Sequence, residues 1–216
     1  SSDASGASEC EKCPAGTYKG AGEGPCLPCP LGRYTNQQGQ SECKLASAGT
    51  FVNVTGASAT TDCAAGTYSM MASHNCTDCG IGEKSGAGAS SCIACGAGES
   101  SNSTGAAECS ECPPGTYKPA GAGPCIDCLV ATYTNKPKQS ECKLAEAGTY
   151  VSEEGSSEST NCSAGTYSST AMSYCKICGI GSYSGVGDSE CKLCDAGYSS
   201  DASGASECEK CPAGTY

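Results

Sequence analysis

Large apolar side chains are dealt out one at a time along this chain. An aromatic ring recurs on a step of 16 or 17 residues, at Tyr18, Tyr34, Phe51, Tyr68, Tyr117, Tyr133, Tyr150, Tyr167, Tyr183 and Tyr216. Lys84, Ser100 and Ser199 interrupt the series, and Tyr198 stands beside the last of them. Two residues before each of these positions comes a glycine, from Gly16 and Gly32 through to Gly197 and Gly214, with Ala131 the single break. Small polar residues fill the intervals. One ring, one fixed glycine and turn-forming residues per step predict short β-hairpins and turns with almost no helix. The glycine offset calls for a turn with positive φ, or for a backbone passing close to a bridge. A regular tyrosine gives each step one large apolar face to lay over its neighbour's cysteines, a serial set of miniature cores.

The pattern is doubly periodic. Residues near n and n+99 match through most of the chain, and residues 1–18 return letter for letter as residues 199–216. Each 99-residue unit divides into six slots, opening at positions 10, 26, 43, 60, 76 and 92, with a restart at 109. The organisation read from this is residues 1–9 as the end of a preceding slot, 10–108 and 109–207 as two units, and 208–216 as the start of another. Self-similarity of this kind marks a repeat architecture, here an extended rod in which each slot touches mainly its neighbours, cut from a longer array.

Composition decides what holds such slots together. Leu, Ile, Val and Phe number 17, too few for one core in a chain of 216 residues, whereas cysteine numbers 22. The expected class is therefore a small disulfide-rich repeat protein, secreted or at the cell surface, where disulfides persist. Four sequons fit that setting and predict covalent glycans at Asn53, Asn75, Asn102 and Asn161. Cys76 and Cys162 stand in the middle of two of them, where bridge formation competes with sugar transfer. A net charge of −11 argues against a nucleic-acid partner, and no apolar run in this segment is long enough for membrane insertion.

Nine Cys-x-x-Cys motifs open the slots, and the defective slots show how they are used. Position 46 should be the second cysteine of its pair and is Ala46; position 60 should be the first of the next and is Thr60. The same double loss recurs at Ala145 and Ser159. If the second cysteine of each slot bonds to the first of the next, one missing bridge explains both absences. Pairing within each motif would orphan Cys43 and Cys63, and four-cysteine zinc sites would leave those two as an incomplete ligand set. The expected ladder is Cys13–Cys26, Cys29–Cys43, Cys63–Cys76, Cys79–Cys92, Cys95–Cys109, Cys112–Cys125, Cys128–Cys142, Cys162–Cys175, Cys178–Cys191 and Cys194–Cys208. Cys10 is expected to pair upstream and Cys211 downstream, between repeats or chains.

The segments Cys13-Pro14-Ala15-Gly16-Thr17-Tyr18, Cys112-Pro113-Pro114-Gly115-Thr116-Tyr117 and Cys211-Pro212-Ala213-Gly214-Thr215-Tyr216 resemble the cysteine-rich repeats of the ephrin-receptor-like family. They are also similar to the first small loop of tumour necrosis factor receptor modules. The resemblance implies a bridge from such a segment to a cysteine about a dozen residues on. It implies fold more than function, since such repeats occur in receptors and in long protist surface proteins, including the mastigoneme type.

No enzyme chemistry is expected. The cysteine motifs are periodic and too closely spaced for a thioredoxin-like fold, His74 is the only histidine, and no cofactor or metal is implied. The Met70-Met71-Ala72-Ser73-His74 insert is the best local candidate for a unique binding patch. Strict periodicity suits a structural glycoprotein that self-assembles into an extracellular fibre. The alternative is a spacer or ligand-binding ectodomain of a surface receptor or adhesin.

Overall fold

The structure, a computed structural model, describes residues 11–22 and 24–215; Cys10 and the final ring position, Tyr216, lie outside the described residues. The chain forms two compact units, Ser1–Ala94 with Ser101–Cys109, and Cys95–Ser100 with Ser110–Tyr216. Among the described residues there is no helix. Twelve two-stranded antiparallel sheets follow one another, each strand two residues long. The expected class, a small disulfide-rich repeat of hairpins, is what the chain adopts.

Each hairpin is built the same way. In the first, Thr17–Tyr18 pairs with Leu27–Pro28, Tyr18 facing Leu27. A tight turn precedes the first strand: Thr17 N–H donates to Pro14 O at 3.1 Å, with Gly16 at φ 88° in the third position. Only glycine takes that conformation without strain, as a type II turn requires. The Thr17 hydroxyl donates to the same Pro14 carbonyl at 2.8 Å. Thr50, Thr67, Thr116, Thr132, Thr149 and Thr166 make the equivalent bond three residues back.

Backbone bonds stitch slot to slot. Gly16 N–H donates to Thr35 O, and Cys29 N–H returns to Gly16 O, both at 2.9 Å. In the second unit Gly115, Thr134 and Cys128 repeat the arrangement at the same distances. A further bond, Gly39 N–H to Cys13 O at 2.8 Å, closes the loop beyond the ring. The defective slots keep this scaffold: Ala46 N–H donates to Gly32 O and Ala145 N–H to Ala131 O.

Confining each slot to its immediate neighbours understates the packing. A Cβ on Gly16 would stand 2.1 Å from Gly56 O, and one on Gly115 would stand 2.1 Å from Gly155 O. Gly56 and Gly155 lie two slots along. The fixed glycine thus serves both a positive φ and a close backbone approach, and what approaches is a carbonyl.

The core is made of sulfur. Bridges run from the second cysteine position of one slot to the first of the next: Cys13–Cys26, Cys29–Cys43, Cys63–Cys76, Cys79–Cys92, Cys112–Cys125, Cys128–Cys142, Cys162–Cys175, Cys178–Cys191 and Cys194–Cys208. Cys95 and Cys109 are disulfide-bonded as well. Each bridge of this loop length contributes about 3 kcal/mol in the chain-entropy model. Among the described residues, the buried apolar ones other than cysteine are Ala46, Val52, Ala145 and Val151, and all four belong to the slots that lack a bridge. Burying a valine stabilises by about 1.5–3 kcal/mol, so a small apolar cluster offsets much of what the missing sulfur pair would supply.

Candidate functional site

In most slots the side chain that follows the ring position is the interior pin. Thr35, Ser69, Ser85, Ser101, Thr134, Ser168, Ser184 and Ser200 are all buried. Their hydroxyls reach back to the first strand of the preceding slot: Ser69 Oγ donates to Thr50 O at 2.8 Å, Ser85 Oγ to Thr67 O at 2.9 Å and Ser168 Oγ to Thr149 O at 2.8 Å. A buried hydroxyl without a partner costs a few kcal/mol, so these bonds fix one spacing between slots. Val52 and Val151 take the position in the slots without a bridge. Sequence reading passes over this series, although the signal is there: a Ser or Thr follows the ring position in most slots.

Lys118 is the exception in kind. It occupies the same position, is buried, and donates from Nζ to the carbonyls of Cys95, at 3.4 Å, and Gly121. A long ammonium side chain here crosses the slot and ties two backbone segments of one unit together. Nothing in the sequence marks it, since Lys19, its counterpart 99 residues earlier, is exposed.

Turning the small polar residues inward leaves the aliphatic ones outside. The second strand of each hairpin is exposed along its length, and it carries Leu27, Leu45 and Ile93 in one unit and Ile126, Leu144, Ile177 and Leu193 in the other. Leu193 is 81% exposed and Ile177 66%. A second series sits just before the turn position: Leu31 and Ile81 in the first unit, Val130 and Ile180 in the second, all exposed. The first-strand tyrosines are only half-exposed, apart from Tyr198, which is exposed. Apolar surface on seven of the twelve second strands, the other five being polar, is what the geometry offers to another surface.

Lysines accompany these residues, as in Lys44–Leu45, Lys143–Leu144, Lys176–Ile177 and Lys192–Leu193. Lys192 pairs with Asp188 at 3.0 Å. The Asp188 carboxyl is held below its ordinary value of 3.8, first by the Gly185 N–H and then by Lys192, whose own pKa rises through that bond. Lys138 stands at φ 60° where other slots place glycine or alanine, and it pairs with Glu99 at 2.6 Å. That hydrogen bond raises the Lys138 pKa.

The remaining sequence-derived positions are scattered over the surface. Asn53, Asn75, Asn102 and Asn161 are all exposed, as are Met70, Met71 and His74. Cys211 carries a free, half-exposed thiol. No group of three or more metal-binding side chains gathers among the described residues, and no helix there is long and apolar enough to cross a membrane.

Residues 16–63 and 181–216 match the family model described as tyrosine-protein kinase ephrin type A/B receptor-like. No curated protein matches the chain. The two matched segments carry ephrin-receptor-like cysteine-rich repeats, and the residues between them repeat the same hairpin, bridged except in the slot of Ala145 and Ser159. That family is a receptor-like repeat and not a catalytic domain.

Proposed function

We propose that this chain is a structural repeat glycoprotein, a length of the shaft of an extracellular fibre of mastigoneme, cell-wall or glycocalyx type. The observation that carries the reading is the exposed aliphatic series on the second strands. Leucine or isoleucine stands on the exposed second strand of seven of the twelve described hairpins, at the first strand position in Leu27, Ile93 and Ile126 and at the second in Leu45, Leu144, Ile177 and Leu193. A cysteine-rich secreted module has little reason to keep them exposed there unless another surface covers them. The bridge density and the receptor-like match favour an extracellular or surface location. The partners in this reading are further copies of the chain and covalent glycans; nucleic acid is not among them, membrane insertion has no part in this segment, and no catalysis is involved.

The match to a receptor-like family favours a second reading, in which the chain is a spacer or ligand-binding ectodomain of a receptor or adhesin. Electron microscopy of the secreted chain separates the two. Regular filaments, dispersed by Leu144→Glu with Leu193→Glu, are the result expected of a fibre component. Isolated monomers at every concentration overturn it.

A further inference from the structure

The four sequons fall into two structural classes. Asn53 and Asn102 occupy equivalent places, each two residues beyond the ring position of its slot, at the start of an exposed loop. Both loops end on a positive-φ glycine, Gly56 at 73° and Gly105 at 72°. These glycines anchor the loops through their N–H groups, to Cys29 O at 2.8 Å and to Cys79 O at 2.9 Å. The tip between asparagine and glycine, with Val54-Thr55 or Ser103-Thr104, stands clear of the slot, and all four of these residues are exposed.

Asn75 and Asn161 are held differently. Each immediately precedes a bridged cysteine, Cys76 bonded to Cys63 and Cys162 bonded to Cys175. Asn161 is itself the last residue of the strand Thr160–Asn161, and Thr77 begins the strand Thr77–Asp78. In both sequons the middle residue is a covalent anchor of the slot.

Sugar transfer needs the asparagine and the hydroxyl two residues on presented together. The carboxamide nitrogen attacks the anomeric carbon of a lipid-pyrophosphate-linked oligosaccharide. A nitrogen–carbon bond forms, the carbon–oxygen bond to the pyrophosphate breaks with its electron pair, and one amide proton passes to a base. The loops at Asn53 and Asn102 permit that presentation even after the slot has closed. At Asn75 and Asn161 it must precede the bridge, in which two thiols give two electrons to a disulfide oxidant and lose their protons.

The order of synthesis separates these last two. Cys63 is made 13 residues before Cys76, so its bridge closes as soon as the sequon emerges, whereas Cys162 waits for a partner 13 residues later. At about 5–20 residues per second that delay gives Asn161 roughly one to three seconds more.

We propose that Asn53 and Asn102 are the glycan-bearing sites of this chain, that the Cys63–Cys76 bridge seals Asn75, and that Asn161 is partly modified. The proposal rests on the extracellular reading only for passage through a compartment where sugar is transferred. The test is glycopeptide mass spectrometry of the whole chain secreted from a eukaryotic cell, with site occupancies compared in one sample. Occupancy should fall in the order Asn53 and Asn102, then Asn161, then Asn75. Cys63→Ser with Cys76→Ser removes the bridge and leaves an Asn-Ser-Thr sequon, so occupancy at Asn75 should rise severalfold while Asn53, as internal reference, stays unchanged. Equal occupancy of Asn75 and Asn53 in the unsubstituted chain overturns the proposal, and so do four bare asparagines. Filaments formed by a sugar-free chain would leave the fibre reading standing while this one fails.

Discussion

The carbonyl oxygen of Gly155 lies 2.1 Å from where a Cβ on Gly115 would stand. Gly115 is also at φ 86°, so alanine there meets two penalties at once, a left-handed backbone and a collision with main chain two slots along. The left-handed conformation alone costs about 1–2 kcal/mol, and the displaced backbone adds to it. Gly115→Ala should therefore cost more than the reverse change gains at Ala131, which already carries a Cβ at φ 65°. Ala131→Gly should stabilise by about 1 kcal/mol. Amide exchange at Gly115 and Cys128, whose N–H groups bond to Thr134 O and Gly115 O, reads the first change locally, and exchange at Ala131 and Ala145, bonded to Val151 O and Ala131 O, reads the second.

The slot without a bridge keeps the register of the slots that have one. Thr50 faces Asp62 and Phe51 faces Thr61, as Thr67 faces Asp78 and Tyr68 faces Thr77 in the slot closed by Cys63–Cys76. Ala46 and Thr60 therefore stand where the sulfur pair would be. Ala46→Cys with Thr60→Cys should oxidise spontaneously and add about 3 kcal/mol. Peptide mapping without reduction would show the new cross-link; two reactive thiols in the folded double variant would refute the equivalence.

Lys118 provides a contrast between identical residues in repeated places. Truncation to alanine leaves the carbonyls of Cys95 and Gly121 without their ammonium partner, at a cost of about 1–3 kcal/mol. Lys19→Ala, at an exposed position, should change stability by less than about 0.5 kcal/mol. Thermal unfolding of the two variants side by side checks the pair.

The pH response has a defined sign at Asp188. Its carboxylate accepts from Gly185 N–H at 2.8 Å and pairs with Lys192, and its pKa is depressed below 3.8. A depressed carboxyl contributes stability at pH above its unfolded value, and that contribution is lost as pH falls through the lower folded value. Carboxyl carbon shifts in a titration should give Asp188 a midpoint below 3.8. Lys192→Met should move it only part of the way back, because the Gly185 amide is the larger cause.

Much of this architecture is legible in the sequence because it rests on spacing. Gly16, Tyr18 and the cysteines at fixed offsets announce a turn, a hairpin and a covalent closure in each slot, and the absence of helix follows from the same step. What escapes is which side of a two-residue strand faces in. Alternation needs several residues to show, and Leu193 and Ile177, read singly, look like core. They are exposed because the interior is taken by sulfur and by hydroxyls such as that of Ser168, whose partner, Thr149 O, lies 19 residues earlier. Lys118 escapes for a similar reason: Gly121 is three residues on, but its other acceptor, Cys95 O, lies 23 residues earlier on a segment whose approach no local pattern encodes.

The bridges lie in series, none enclosing another, and this decides how the chain carries load. Pulled from its ends, a slot such as Cys112–Cys125 conducts force across its sulfur pair, between Cα atoms 5.7 Å apart, and the residues inside the loop stay slack. Among the described residues, the longest stretches outside any bridge run from Cys43 to Cys63 and from Cys142 to Cys162, across the missing pairs Ala46/Thr60 and Ala145/Ser159. The ends of each are 20 residues apart in sequence and would stand about 70 Å apart at full extension. The two slots that look like defects are thus the longest compliant links of the tether: under tension they give the most length, and they refold when it is released, because no covalent bond has been broken.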